Sequence, residues 1–209
     1  MSLIYPYCDN HVLLVEKPAG ISTQEGLDIE AKKWIKEKFD KPGNVFLEPI
    51  HRLDKPVSGL VLFARTSKAL SRLQEEMRER VIKKTYFALV SGKMPHLEGT
   101  LEHYLVHDDF KARIVSKQER EGKLALLHYK VIKEKEGCTF LEIELITGRY
   151  HQIRAQLSHI GCPILGDDKY GSRHPFAEQG IALHHGRLSF IHPTTREYLT
   201  FYSMPPFAL

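Results

Sequence analysis

Two periods of hydrophobic and polar residues organise this chain. Apolar runs and period-two alternation mark strands, and apolar residues three and four apart mark helices. Residues 11–16 read as a strand closed by the turn formers Lys17-Pro18-Ala19-Gly20. Residues 28–40 read as a helix with Ala31, Trp34, Ile35 and Phe39 on one face, ended by Lys41-Pro42-Gly43-Asn44. A short strand at 45–47 leads into a polar loop at 51–59 and then a buried strand at 60–65. Thr66 and Ser67 are good N-caps for a helix ending near Arg80, whose apolar stripe is Leu70, Leu73 and Met77. Residues 84–91, β-branched and aromatic, form the next strand and stop at Gly92. Two hairpins follow, 100–106 with 111–116 turning at Asp108-Asp109, and 124–133 with 138–146 turning at Glu136-Gly137. Residues 151–159 read as a helix with Ile153, Leu157 and Ile160 buried and Gly161 at C′. Residues 162–180 read as irregular, and 182–184, 188–192 and 198–202 as three late strands. Strands dominate, and short turns join most neighbours. The pattern predicts an α+β fold: a mixed, mainly antiparallel sheet with a few flanking helices, in a single domain over residues 1–209.

Composition narrows the function classes without choosing one. Lys and Arg number 30 against 26 Asp and Glu, and the net +4 is too mild to point to nucleic acid by itself. Distribution says more. Arg78, Arg80, Lys83 and Lys84 fall in one short segment, beside Arg52 and Arg65 of the preceding loop and strand. They form either a solvated helix end or a phosphate-binding patch. Cys8, Cys138 and Cys162 lie far apart with no CxxC spacing, which fits free thiols in a reducing compartment. No run approaches the ~18 apolar residues of a membrane span, and no N-terminal stretch resembles a signal peptide. A cytoplasmic protein with no membrane partner is expected. The 12 histidines include His103 and His107, four apart, but on a strand-like segment without matching carboxylates, so no metal site is expected.

Three residues invite chemistry. Asp54 sits in the loop His51-Arg52-Leu53-Asp54-Lys55-Pro56-Val57-Ser58-Gly59, directly before the apolar run Leu60-Val61-Leu62-Phe63-Ala64. A carboxylate on a loop held by a rigid strand suits catalysis; it also suits simple capping of its own turn. Arg154 flanks the stripe of Ile153 and Leu157, so it either points inward or is an exposed helical arginine. Tyr86 opens a strand just after the basic segment, and is either a core tyrosine or a ring lining a site.

These segments also resemble a known family. The 51–59 loop is similar to the HRLDKxTSG motif of the RluA family of RNA pseudouridine synthases, with Val57 in place of the usual Thr. Lys84-Thr85-Tyr86 resembles its K-x-Y motif, and Thr147-Gly148-Arg149-Tyr150-His151-Gln152-Ile153-Arg154 its TGRxHQIR motif. Gly161-Cys162-Pro163-Ile164-Leu165-Gly166-Asp167 with Lys169-Tyr170-Gly171 resembles its GxPIxGDxxYG segment, and Ala182-Leu183-His184-His185 its LxLHA element. Ala155-Gln156 stands for the commoner Val-His, and His185 for Ala. Many relatives carry an extra N-terminal RNA-binding domain; this chain resembles the minimal form, and a monomer is expected.

The resemblance implies the pseudouridine synthase fold and the isomerisation of uridine in a tRNA or ribosomal RNA, with no cofactor. It implies Asp54 as the catalytic carboxylate, Arg154 as its charge partner and Tyr86 as the ring that stacks on uracil. Leu183 would wall the pocket. Arg52 would fill the space of the flipped base or hold its phosphate, with His51 and Lys84 as further substrate-binding residues. Two other readings stand beside it. A nucleoside or glycoside hydrolase needs a paired carboxylic acid, and the motifs offer only Asp167 and Asp168. A non-catalytic RNA-binding protein would not need Asp54, Tyr86 and Arg154 together.

Overall fold

The structure, a computed structural model, describes residues 3–176 and 180–207. The chain forms two compact units: residues up to Ile82 with Arg187–Ser203, and Lys83–Gly186 with the residues from Met204 on. Mainly antiparallel strands and three helices make an α+β fold, as the pattern predicts.

In the first unit, β1 (Ile4–Cys8) and β2 (Val12–Lys17) form an antiparallel hairpin. Asp9 turns it by accepting the amides of His11 and Val12, both at 2.8 Å. β2 pairs antiparallel with β4 (Ser58–Ala64), Leu14 opposite Leu62. Val12–Val15 and Leu60–Ala64 have no exposed surface, so both faces of these strands are covered; such strands read as continuous apolar runs. Helix α1 (Asp28–Phe39) buries Ala31 and Ile35, and Trp34 stacks on Tyr5 at 3.8 Å. Helix α2 (Ser67–Arg78) starts at Thr66, whose hydroxyl accepts the Ala69 amide at 3.1 Å. Its deepest residues are Ala69, Leu73 and Glu76, while Leu70 and Met77 are only partly buried. Ala69 and Leu73 pack with Val12, Leu14, Leu60 and Leu62. Glu76 is tolerated there because it accepts the Ile191 amide at 3.2 Å. Burial still pushes its carboxyl pKa up.

The second unit carries β5 (Lys83–Ser91), β6 (Glu98–Asp108), β7 (Lys111–Val115), β8 (Lys123–Lys135) and β9 (Cys138–Leu145) in the antiparallel order β5-β9-β8-β6-β7. The β8–β9 loop is two residues, Glu136 and Gly137, at φ 52 and 76. Positive φ at both positions is the type I′ turn that a tight hairpin wants. Helix α3 (Gln152–His159) lays Ala155 against Leu105, Ala112, Ala125 and Tyr170. It ends in a Schellman motif: Gly161 at φ 79 donates to Ser158 O, and Cys162 N to Leu157 O, each at 3.0 Å.

Four expectations change. No pattern singles out β1, whose Pro6 is acceptable on an edge strand. The strand expected at 45–47 forms one step later, as β3 (Glu48–Pro49), where β4 offers pairing at Ala64 and Phe63; a strand needs a ladder partner more than propensity. The strands expected at 182–184 and 188–192 are one, β10 (Leu183–Ile191), because Gly186 is buried in a continuing strand rather than in a turn. It pairs with β11 (Tyr198–Tyr202) through Arg187 to Ile191. The residues expected to be irregular hold a single 3-10 turn, Asp168–Tyr170; of that stretch, 177–179 lie outside the described residues.

Candidate active site

Asp54 lies in the first unit, half-buried on the loop between β3 and β4. Both of its chain neighbours are gripped. On one side Thr23 Oγ1 donates to Leu53 O and accepts from Leu53 N, each at 3.0 Å. On the other side the Lys55 carbonyl accepts from Gly20 N at 2.8 Å and from Lys17 Nζ at 3.2 Å. Val57 N closes the turn onto Asp54 O at 3.0 Å. The clamps come from one stretch: the end of β2, the turn after it and an irregular helical turn, Thr23–Leu27, in which Glu25 takes φ 61.

Lys17 is the unexpected member. It ends an apolar strand with no exposed surface. Its ammonium also donates to Pro18 O at 3.0 Å and Ile21 O at 2.8 Å. Burial lowers its pKa from 10.5 to about 8, and the charge of Asp54 pulls the other way. The buried cation therefore both ties the loop and feels its carboxylate. Arg52 is exposed and donates to Gln24 Oε1 at 3.0 Å. His51 spends Nε2 on the frame, accepting the Leu62 amide at 3.3 Å.

Tyr86, Lys84, Arg154 and Leu183 belong to the second unit. Tyr86, buried on β5, stacks on His185 with centroids 4.6 Å apart. Leu183 is buried at the start of β10, two residues before that histidine. Lys84 is buried and does not share a surface patch with the exposed Arg78, Arg80 and Lys83, because strand alternation turns it inward. A Cβ on Gly148 would lie 3.5 Å from Lys84 Nζ, so the ammonium faces the turn of the Thr147-Gly148-Arg149 motif. Burial brings that ammonium too down to about 8. Arg65 is likewise no part of a phosphate patch: it is buried, stacks over Phe39 at 4.8 Å and donates to Asp9 O.

Arg154 points inward, and the structure gives it a carboxylate that the sequence reading did not assign. Its Nε and Nη2 donate to Asp167 Oδ2 and Oδ1 at 2.7 and 2.8 Å, with 5% and 1% of the two side chains exposed. The guanidinium carbon stands 5.0 Å over the Tyr170 ring. Tyr170 Oη accepts the Ala112 amide at 2.7 Å and lies 2.9 Å from His151 Nδ1. Lys17, Thr23, Asp167 and Tyr170 were thus missed as site residues. Asp167 and Tyr170 stood inside the GxPIxGDxxYG resemblance without a role assigned to them, and Lys17 was signalled only as a lysine closing an otherwise apolar strand. Among the described residues, no group of three or more His, Cys, Asp or Glu is placed to hold a metal. No helix among them is long and apolar enough to cross a membrane.

The chain matches the RNA pseudouridylate synthase family over residues 11–159 and belongs to that family. It is similar to the ribosomal large subunit pseudouridine synthase C of Buchnera aphidicola subsp. Baizongia pistaciae, 33% identical over 199 residues, 91% of this chain and 63% of that protein. It is also similar to the uncharacterized RNA pseudouridine synthase YlyB of Bacillus subtilis, 35% identical over 208 residues, 96% of this chain and 68% of that one. The chain thus spans roughly two thirds of their length. Human RNA pseudouridylate synthase domain containing 4 has the same fold, with TM-score 0.82 at 24% identity over 97% of this chain and 88% of that one.

Proposed function

We propose that this protein converts uridine in RNA to pseudouridine, with Asp54 as the catalytic carboxylate and the target nucleotide flipped out of its strand. The observation that carries the proposal is the frame around Asp54. A half-buried carboxylate is fixed through both neighbouring residues by buried donors, the placement covalent or proton-transfer chemistry demands. The reaction breaks the glycosidic bond, turns the retained uracil and joins its carbon 5 to the ribose. It is redox-neutral and consumes no water or cofactor. Asp54 adds to the ribose or the ring, or takes a proton from the ribose. Arg154 keeps the reacting carboxylate ionised. Tyr86 stacks on uracil and helps remove the carbon 5 proton, and Leu183 walls the pocket. Arg52 takes the space of the flipped base or holds its phosphate, with His51 and Lys84 as further contacts. The names of the large-subunit synthases support ribosomal RNA as the first substrate to test, ahead of tRNA, for a monomer working in the cytoplasm.

Tritium release from large-subunit ribosomal RNA and tRNA transcripts labelled at carbon 5 of uracil tests the proposal. Wild type should release label, and Asp54→Asn should not, while RNA affinity stays within about threefold because phosphate contacts supply most of it. Asp54→Asn within tenfold of wild type would remove Asp54 from the chemistry. Free uracil in place of pseudouridine would make the protein a hydrolase, and no release from any RNA would overturn the isomerase.

A further inference from the structure

We propose that Asp167 is a positioning residue for the reaction: by gripping one edge of the Arg154 guanidinium it fixes where the remaining nitrogen, Nη1, points. The inference rests on the proposed function, in which Arg154 acts on the reacting carboxylate.

Three observations carry it. The first is the form of the contact. Asp167 takes Nε and Nη2 together, at 2.7 and 2.8 Å. Two parallel bonds along one edge set the plane of a guanidinium, whereas a single bond leaves it free to rotate. The second is what Asp167 gives up. It occupies the N-cap of the 3-10 turn Asp168–Tyr170, a position where aspartate normally accepts a backbone amide, yet its side chain makes no capping bond there. Both carboxylate oxygens go to Arg154 instead. The third is rigidity on both sides of the pair. Asp167 O accepts Tyr170 N at 3.0 Å and Ser172 N at 3.1 Å, and Asp167 N donates to Ile164 O at 3.1 Å. Gly166, at φ 80, aims the chain into this turn; a Cβ there would lie 2.7 Å from Phe176 Cβ. Arg154 rises from a helix buried from Gln152 to Leu157, with the Tyr170 ring behind its guanidinium.

Stability alone is a poor reason for this pair. Taking two charges out of water costs about what their attraction returns, and apolar residues of similar volume often do as well. Orientation is what an apolar pair could not supply.

A double-mutant cycle on the purified protein tests the inference. Asp167→Asn keeps the shape and removes the charge. It should lower kcat by about 10²-fold with KM for RNA nearly unchanged, the scale of a reacting group misplaced by about 1 Å. In an Arg154→Ala background the same change should cost less than about threefold, because Asp167 then has nothing to position. Equal losses in both backgrounds would overturn the inference, as would normal turnover by Arg154→Ala. Asp167→Glu keeps the charge but moves the carboxylate; wild-type kcat in that variant would also overturn it. A readout free of activity separates this inference from the isomerase reading. The Arg154 Nε–H signal in 15N NMR, assigned by its loss in Arg154→Lys, should exchange slowly in wild type and lose protection in Asp167→Asn. Unchanged protection would overturn the fork even if no RNA is ever turned over. Protection that is lost while wild type releases no tritium would leave the fork standing and sink only the proposed reaction.

Discussion

Thr23→Val probes the frame of the catalytic loop with one atom. Valine keeps the branched shape and replaces the hydroxyl by a methyl. In the wild type that oxygen serves both Leu53 groups, each at 3.0 Å. Thr23 is 3% exposed and Leu53 6%, so water does not readily replace the hydroxyl. An amide or carbonyl left unsatisfied in a protein interior costs about 1–3 kcal/mol, so the pair costs about 2–6 kcal/mol. Domains of this kind hold roughly 5–15 kcal/mol in all. At about 2–4 °C per kcal/mol, the melting temperature should fall by about 4–24 °C. Calorimetry reads that fall, and tritium release well below the transition reads the loop. Asp54 follows Leu53 directly, so kcat should drop while KM for RNA holds. Thr23→Ser keeps the hydroxyl and loses a methyl, costs about 1 kcal/mol and should restore kcat. A valine variant that melts within about 1 °C of wild type and turns over normally would refute the clamp.

Lys17→Met should change the dependence of stability on pH. The folded ammonium titrates at about 8 against an ordinary 10.5, so the unfolded chain holds the extra proton between those values. Lys17 therefore contributes a rise in stability with pH across that window of up to about 3 kcal/mol, and the variant should lose that share while the share of Lys84, also lowered to about 8, remains; urea titrations from pH 7 to 11 measure it, and an unchanged slope would show that Lys17 titrates normally. At the acid end, burial alone would raise the Asp9 carboxyl, but the amides of Val12 and His11 and the ring of His192 outweigh it and hold it below 3.8. Its contribution is present above that ordinary value and lost as pH falls through the lower folded one, so Asp9→Asn should flatten the acid limb of the stability curve. Gly166→Ala should cost more than about 2 kcal/mol, since it adds a side chain at positive φ against backbone that must move, including Gly180 O at 2.9 Å; a melting temperature equal to wild type would contradict the packing there.

What was legible in the sequence was what neighbours in the chain decide. β2, α1, α2, both hairpins and α3 were readable because period, caps and turn residues lie within a few positions of one another, down to Gly161 in its Schellman motif. What was illegible depends on partners far along the chain. β1 and β3 exist because β2 and β4 offer edges. Glu76 enters the apolar stripe of α2 because the Ile191 amide, 115 residues away, receives it. The site divides the same way. Asp54, Tyr86 and Arg154 stood out through their motifs. Thr23 and Lys17 did not, because their bonds to the loop span 30 and 38 residues, and Asp167, though inside a motif, gave no sign that Arg154 was its partner.

Helix α3 shows why the frame hid in plain view. Gln152, Arg154 and Gln156 alternate with apolar residues, a spacing that puts the two glutamines on one face of the helix and the arginine on the opposite one. An exposed helix would not be written that way, and this one is buried from Gln152 to Leu157. Each polar residue must then find its partner inside, and each finds a different one. Gln152 Oε1 accepts the Thr147 hydroxyl at 2.7 Å and the Arg149 amide at 3.0 Å, which fixes the turn before the helix. Gln156 Nε2 donates to Leu101 O at 3.0 Å and Ala125 O at 3.2 Å, which fixes the helix to the sheet. Arg154 alone takes a charged partner, and takes it through one edge of its fork. Two of the three polar residues are thus occupied mainly with backbone, together with the Thr147 hydroxyl and the His103 ring. The spelling of the motif records mostly what surrounds the helix, and the chemistry rests on the one residue whose partner is a carboxylate.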